Sequence, residues 1–197
     1  MPSEKPFLLP KKALGKNASQ LVEFVRIPKE RVGALIGSGG KTKQKLQQLA
    51  GIKISVDSET GEVELQGKAE NAENFYNAVN VVKAIGRGFS PQNAMLLLEQ
   101  DFLLDVIKVS DIVSGGEKTI KTRKGRVIGR HGKAREIIER ETDSKIAVFG
   151  KTVAIIAKPE EMPVARKAVE MLLQGAEHST IFRFLQKKRK EEKKFSI

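Results

Sequence analysis

The sequence has 197 residues, enough for one large or two small domains, and its 40% hydrophobic content is adequate for a core. Cysteine is absent, which excludes disulfides, thiolate metal sites and cysteine nucleophiles. No apolar run reaches the roughly 18 residues that a bilayer-spanning helix needs, so we expect a soluble, cytoplasmic protein that does not bind membranes.

The formal net charge of +12 is concentrated at the two ends of the chain. Residues 1–20 hold four lysines against one glutamate, and residues 181–197 hold seven lysines or arginines against two glutamates. Basic ends on a mildly basic body suit a polyanion such as nucleic acid, but a solvated, solubilising tail has the same composition. Composition alone leaves both interpretations open.

The first part of the chain predicts the order strand, helix, loop, helix, strand, strand, helix. "LVEFVRI" (21–27) alternates as a strand does, and Pro28 starts a short helix. After a glycine loop, residues 42–50 predict a helix that buries Leu46, Leu49 and Ala50. "IKISV" and "EVELQ" predict a hairpin, and a final helix runs to about Ile85.

The glycine loop "GSGGKT" does not fit either common nucleotide-binding motif. A P-loop with Gly40-Lys41-Thr42 would need glycine at position 35, which is Leu35. A dinucleotide fingerprint would need glycine or alanine at position 42. We therefore expect no nucleotide cofactor at this loop.

The next segments predict a linker helix and a second set of elements. Ser90-Pro91 is a helix start that leads into "PQNAMLLLEQ". "LLDVIKV" (103–109) predicts a strand, "KTIKTRKGRVI" a helix, and "KIAVF" with "TVAIIA" a hairpin. A helix over "EEMPVARKAVEMLLQ" and a basic C-terminal helix over "HSTIFRFLQKKRK" complete the chain.

These two sets of elements are an internal duplication. Residues 35–56 align without gaps on residues 127–148, so that Gly37 meets Gly129 and Gly40 meets Gly132. Apolar positions match across helix and hairpin as well, for example Ile54 with Ile146. A repeat of this kind predicts two modules of the same fold.

Element order and the motif hydrophobic-Ile-Gly-x-x-Gly-Lys resemble the KH fold. The resemblance implies an α+β protein with two tandem type I KH domains, each a three-stranded antiparallel sheet packed on three helices, with an extra linker helix and a basic C-terminal helix. The predicted division is a flexible basic segment at 1–19, a first KH domain at 20–88, the linker helix and second KH domain at 89–180, and the basic helix or tail at 181–197.

The resemblance predicts single-stranded RNA as the ligand, because this loop clamps nucleotide backbone in KH domains. Glycines let phosphates approach the main chain, and the following helix offers its positive dipole end. The bases would lie in an apolar groove opposite the loop. The predicted RNA-binding residues of the first module are Ile36, Gly37, Ser38, Gly39, Gly40, Lys41 and Ile54.

The second loop is more basic than the first. The predicted RNA-binding residues of the second module are Arg123, Lys124, Arg126, Ile128, Gly129, Arg130, His131, Gly132, Lys133, Arg135 and Ile146. Its six cations face no acidic residue within the segment, so we expect this module to contribute more affinity. A tight turn for the glycines, and plain core packing for the four isoleucines, are the structural alternatives.

No catalytic or metal-binding pattern is visible. The two histidines, His131 and His178, lie 47 positions apart without acidic clusters beside them, and no nucleophile–base arrangement or paired carboxylates stand out. We therefore predict a protein that is not an enzyme and uses neither metal nor cofactor. His178 is expected at a helix junction.

"IGRGFSP", the apolar helix after it and the basic C-terminal helix further resemble archaeal two-KH-domain ribosome-assembly proteins, which are relatives of the eukaryotic KH proteins of small-subunit pre-rRNA processing. The resemblance implies binding to small-subunit rRNA near its 3′ end in ribosome assembly or translation, with a translation or rRNA-processing factor as a possible partner. We also expect a monomer. The alternatives are a protein adaptor and a non-catalytic subunit of an RNA-processing complex.

Overall fold

The computed structural model describes residues 19–99 and 101–195, and most of the predicted N-terminal segment lies outside these ranges. The chain divides into two compact units between Lys83 and Ala84. Each unit contains one three-stranded antiparallel sheet. No helix within the described ranges is both long and apolar enough to cross a membrane.

The first unit follows the predicted order. Its elements are β1 (Gln20–Arg26), α1 (Lys29–Ile36), a 3-10 turn at the glycine loop (Ser38–Gly40), α2 (Lys41–Ala50), β2 (Lys53–Val56), β3 (Glu62–Lys68) and α3 (Ala72–Gly86), which continues past the division. The strand order is β1-β3-β2, so β2 is an edge strand. The register places Val25 opposite Val63 and Ile54 opposite Leu65.

The core of the first unit follows from the alternation of its strands and the stripes of its helices. Val63 and Leu65 on the central strand are fully buried, as are Leu35 of α1 and Leu46 of α2. Each such side chain contributes about 1.5–3 kcal/mol through removal from water. These contacts hold the two helices that flank the glycine loop against the sheet.

The second unit repeats this arrangement and adds helices at both ends. Its elements are α4 (Pro91–Ala94), a 3-10 turn at Met95–Leu98, β4 (Leu103–Lys108), a 3-10 turn at Val109–Asp111, α5 (Glu117–Ile128), a 3-10 turn at the second glycine loop (Arg130–Gly132), α6 (Lys133–Glu141), β5 (Lys145–Phe149), β6 (Thr152–Ala157), α7 (Met162–Gln174) and α8 (His178–Phe195). The sheet order β4-β6-β5 matches that of the first unit. The predicted fold class is therefore confirmed.

The C-terminal helix α8 packs into the core of the second unit. Ile181 and Leu185 are buried in the same cluster as Val127 of α5 and Ile138 of α6. Farther along α8, Arg189 pairs with Glu141 at 3.0 Å. The first half of α8 is thus part of the domain and not a detached tail.

Two details of the predicted elements are wrong. The sequence predicts Leu49 on the buried face of α2, but this side chain is 57% exposed, because Leu46 and Ala50 define that face. In the second unit, α8 follows α7 and covers the equivalent residue, Glu141. In the first unit, α3 is followed by the short α4 and not by a long helix of this kind, so Leu49 has no such cover. The predicted linker helix is also shorter: it changes at Met95 from α to 3-10 winding.

Candidate nucleic-acid interface

The two glycine loops follow the same backbone path. Gly37 has φ 75° and ψ 173°, and Gly129 has φ 73° and ψ 178°. Gly40 and Gly132 both have φ 78° and ψ 4°. Two loops of different sequence therefore present their main chain in one conformation, as the duplication predicts.

The first glycine of each loop is required by close packing. A Cβ at Gly129 would lie 2.6 Å from the Cβ of Ala134 in the first turn of α6, and a Cβ at Gly37 would overlap Thr42 in α2. Any side chain here would push the loop away from the helix that follows it. The glycine thus sets how closely the loop main chain approaches the helix N-terminus.

His131 occupies a backbone conformation that favours glycine. Its φ of 53° and ψ of 29° match those of Gly39 in the first loop, which are 58° and 24°. Histidine is among the residues that tolerate this left-handed region best, at a cost of the order of 1 kcal/mol. The second loop keeps an exposed imidazole at its tip in spite of that cost.

Each loop ends at a helix N-terminus that no side chain caps. Gly40 and Gly132 are the N-cap residues of α2 and α6, and neither can offer a side-chain oxygen to the first N–H groups. The partial positive charge of the helix end is therefore directed into the loop. The second loop is bordered by the exposed side chains of Arg130, His131 and Lys133. The first loop is bordered by those of Ser38 and Lys41.

The predicted groove isoleucines fall into two groups. Ile54 and Ile146 are 4% and 3% exposed, so their side chains belong to the core. Ile128 is 36% exposed and Ile36 is half-buried. The expectation that all four side chains line a groove is corrected: Ile54 and Ile146 offer only their main chain, because their strand positions face the helices.

A helix side chain bonds the main chain of the edge strand in both units. The N–H of Ile54 donates to Oε1 of Gln47 at 2.8 Å, and the N–H of Ile146 donates to Oε1 of Glu139 at 2.7 Å. Gln47 and Glu139 occupy equivalent positions in the repeat. Sequence reasoning missed this pair, although the alignment places an oxygen acceptor at the same position in both copies.

Three of the six cations of the second module contact main-chain groups elsewhere in the unit. Arg126 donates from Nη2 to the carbonyl oxygens of Gly175 and Ala176, the latter at 2.7 Å. Lys124 donates to the carbonyl of Gly150 at 2.5 Å, and the guanidinium of Arg123 lies against Gly175. These contacts anchor α5 to the rest of the unit.

The remaining cations surround the loop. Arg130 and Lys133 are exposed at its ends. Arg135, one turn into α6, pairs with Glu139 at 3.9 Å, and its Nη2 lies 3.8 Å from the point where Gly132 would carry a Cβ. The structure therefore brings together Arg130, His131, Lys133 and Arg135, and places Arg123, Lys124 and Arg126 in structural contacts.

His178 lies at the junction that sequence analysis predicted for it. It begins α8, and its Nε2 is 2.9 Å from the carbonyl oxygen of Arg126. Together with the Arg126 guanidinium, this contact ties the helix before the second loop to the start of α8. No group of three or more potential metal ligands among His, Cys, Asp and Glu occurs in residues 19–99 and 101–195.

One carboxylate near α8 has a shifted pKa. Hydrogen bonds from Arg140 and then from Arg189 hold the pKa of Glu141 below its usual range. The ionised form is favoured because both arginines donate to it. This carboxylate fastens the middle of α8 to the end of α6.

A cleft of about 380 Å³ runs along the outer edge of β5. It is lined by the linker residues Gly88, Phe89, Ser90 and Asn93, by Arg135 and Glu139 of α6, and by residues 145–148 of β5. Sequence analysis did not assign the linker residues to any site, since no pattern in "GRGFSPQNA" indicates which surface they cover.

The fold and its paired Gly-x-x-Gly loops define a protein with two KH domains. A family model described as KH domain matches residues 22–80, and one described as Eukaryotic type KH-domain (KH-domain type I) matches residues 103–190. KH domain-containing protein MJ0443 of Methanocaldococcus jannaschii is 39% identical over 88% of this chain and 76% of its own length. The chain belongs to this family of two-KH-domain proteins, and the predicted resemblance is confirmed.

Three further relatives carry informative names. A chain in the crystal structure of an a/eIF2alpha-aDim2p-rRNA complex from Pyrococcus horikoshii OT3 is 38% identical, with a TM-score of 0.82 over 87% of this chain and 96% of that one. Pre-rRNA-processing protein PNO1 of Chaetomium thermophilum is 24% identical over 88% of this chain and 70% of its own length. RNA-binding protein pno-1 of Caenorhabditis briggsae is longer, and the chain spans 59% of it.

Proposed function

We propose that the protein binds single-stranded RNA and acts in small-subunit rRNA processing or assembly, where it holds rRNA near its 3′ end. The observation that carries this proposal is the second glycine loop. Its two glycines are half-buried, it precedes an uncapped helix N-terminus, and exposed Arg130, His131 and Lys133 surround it. A backbone phosphate satisfies all three features at once.

The edge strand beside the loop supplies groups that can bind a base. Because the N–H of Ile146 points to Glu139 and away from β6, residue 148 also directs its N–H and C=O outward. Main-chain donors and acceptors on one edge suit the Watson–Crick edge of an unpaired base. A base in a duplex has that edge occupied, so single strands are preferred.

The names of the relatives support rRNA as the RNA concerned. One relative is a pre-rRNA-processing protein, and another structure contains rRNA together with a/eIF2alpha. We extend both to this chain as part of the proposal, with a translation or processing factor as a protein partner. The role is that of a binding protein, without a catalytic step.

Helix α8 provides a second, sequence-independent contact. Arg183, Lys187 and Lys190 are exposed at a spacing of four and three residues, which places them on one side of the helix, and we call them the α8 basic stripe. They line a shallow cleft of about 370 Å³. The stripe would follow the RNA backbone through charge alone.

Filter binding in EDTA, without nucleotide, tests the proposal. The full chain should retain a single-stranded oligonucleotide from the 3′ end of small-subunit rRNA and bind its duplex form much more weakly. A requirement for Mg²⁺ or nucleotide would overturn the RNA-binding mode. Crosslinking in cell extract, followed by sequencing of the footprint, tests the target: a footprint outside small-subunit rRNA would contradict the rRNA assignment.

A second role, as a protein adaptor, is favoured for the first module. Its loop tip carries Ser38 and Gly39 and no cation, whereas Phe24 on β1 and Leu49 on α2 are 58% and 57% exposed. Phe24 and Leu49 are exposed singly, so each is tested as a separate candidate for a partner contact. If F24S or L49Q releases a protein partner without changing RNA affinity, the first module is a protein-binding site.

A further inference from the structure

The cleft along β5 has polar groups on three walls. One wall is α6, with Arg135 and Glu139, and the floor is the outer edge of β5. The third wall is the linker segment, from which Gly88, Phe89, Ser90 and Asn93 line the cleft. Its volume of about 380 Å³ falls within the range of small-ligand sites.

The main chain of the linker lies directly against β5. A Cβ at Gly88 would lie 2.7 Å from the Cβ of Phe149, so the linker main chain touches β5 directly. Three side chains of the segment are buried, since Phe89, Ala94 and Leu97 are at most 2% exposed. Asn93 lies between Phe89 and Ala94, on the turn whose start Ser90 caps.

The groups around the cleft include both donors and acceptors. Asn93 carries an amide oxygen and an amide NH₂, and β5 offers the outward N–H of Val148 and the outward carbonyl of Ile146. An ion of one sign would not use this mixture. A planar group with its own donors and acceptors, such as a nucleobase, matches it.

The cleft is continuous with the second glycine loop through one side chain. Arg135 lines the cleft, and its Nη2 lies 3.8 Å from the Cβ position of Gly132. A nucleotide whose phosphate rests on the loop can therefore place its base, or that of its neighbour, at the cleft. Arg135 would contact the same nucleotide between these two points.

We infer that the linker segment is part of the RNA-binding site of the second module, and that the Asn93 side chain reads one base held in the cleft along β5. This inference rests on the proposed RNA binding. It assigns sequence preference to a residue outside the KH domain itself, while the loop supplies affinity that does not depend on sequence.

Three variants of the full chain test this inference. N93A removes the reading group, Q92A changes an exposed neighbour that does not line the cleft, and R130D removes a loop cation. Each is titrated by fluorescence anisotropy with four single-stranded RNAs that differ at one position, and this set is repeated for each position of the rRNA oligonucleotide.

N93A should reduce the preference between bases at one position by about tenfold, since a good amide–base pair discriminates by about 1–3 kcal/mol. Q92A should keep the wild-type preference, and R130D should weaken all four RNAs alike. If N93A keeps the wild-type preference at every position while R130D weakens binding, the inference is wrong and the proposed function stands. If wild type binds none of the RNAs, the proposed function itself has failed.

Photocrosslinking gives a measurement that does not depend on a folded variant. An RNA with 4-thiouridine at the discriminated position should crosslink to the peptide that contains residues 88–93, as identified by mass spectrometry. Crosslinks confined to peptides outside the linker would overturn the inference. So would a finding that N93A weakens only binding of a protein partner.

Discussion

The charge difference between the two loops predicts that one substitution has unequal effects at equivalent positions. Arg130 and Ser38 align in the repeat, both are exposed, and neither has a positive φ. Replacement by aspartate at either site therefore changes charge without backbone strain. We expect R130D to lower RNA affinity strongly and S38D to lower it less.

The expected size follows from the contacts at each loop. R130D removes a charge-assisted contact, which is worth about 1.5–3 kcal/mol, or roughly ten- to a hundredfold in affinity. The new carboxylate also repels the phosphate, by up to about 4 kcal/mol at 4 Å before salt screening near a protein surface. S38D adds only the repulsion, because it removes no cation.

Fluorescence anisotropy at a fixed salt concentration, with one rRNA oligonucleotide for both variants, measures the two reductions in affinity. Circular dichroism and the melting temperature must match wild type before the affinities are compared. Equal reductions would show that both loops grip RNA as a unit. A larger reduction for S38D would refute the ranking of the two modules by charge.

Three other predictions concern salt, packing and pH. Changing the three residues of the α8 basic stripe to glutamine should lower the log–log slope of RNA affinity against salt by about 0.7 for each phosphate that the stripe no longer neutralises. K188Q, at a residue paired with Glu191, serves as the control. An unchanged slope would show that the stripe does not touch RNA. G129A should lower the free energy of unfolding of the second unit, measured in urea, by about 1–3 kcal/mol because the added methyl overpacks the loop. G125A, at an open mid-helix position, should raise it by up to about 1 kcal/mol. Similar effects of both substitutions would contradict the packing argument. Because the pKa of Glu141 is lowered in the folded state, its stabilising contribution is present above its unfolded pKa and disappears as pH falls through the folded pKa. E141Q should therefore flatten the fall in melting temperature below about pH 5. A profile of melting temperature against pH that matches wild type would contradict this role of Glu141.

The sequence predicted the repeated core well because its signals are local and occur twice. The hairpin strands Lys145–Phe149 and Thr152–Ala157 were predicted with their observed bounds, since each is a short apolar run and a tight turn separates them. The loop conformation was also predictable in outline, because Gly-x-x-Gly between two helices has few alternatives. The second copy strengthened the assignments of the glycine loop, the helix after it and the hairpin.

The parts that were missed depend on contacts between distant residues. Arg126 looks like a phosphate ligand in sequence, and only the fold brings the carbonyls of Gly175 and Ala176 to its guanidinium. The side chains of Ile54 and Ile146 could not be assigned to groove or core, because both environments select the same residue. The linker residues beside β5 show no hydrophobic periodicity, so the sequence does not indicate that they line a cleft.

The link between Arg126 and the start of α8 sets the smallest fragment that can carry a working second loop. Arg126 stands three residues before Gly129, and its guanidinium and carbonyl both bond the segment from Gly175 to His178. A fragment that ends with α7 would leave the partly buried guanidinium of Arg126 without its acceptors and would uncover the apolar surface that Leu185 protects. The working domain therefore extends beyond a minimal KH fold, and any isolated version of it should run past Leu185.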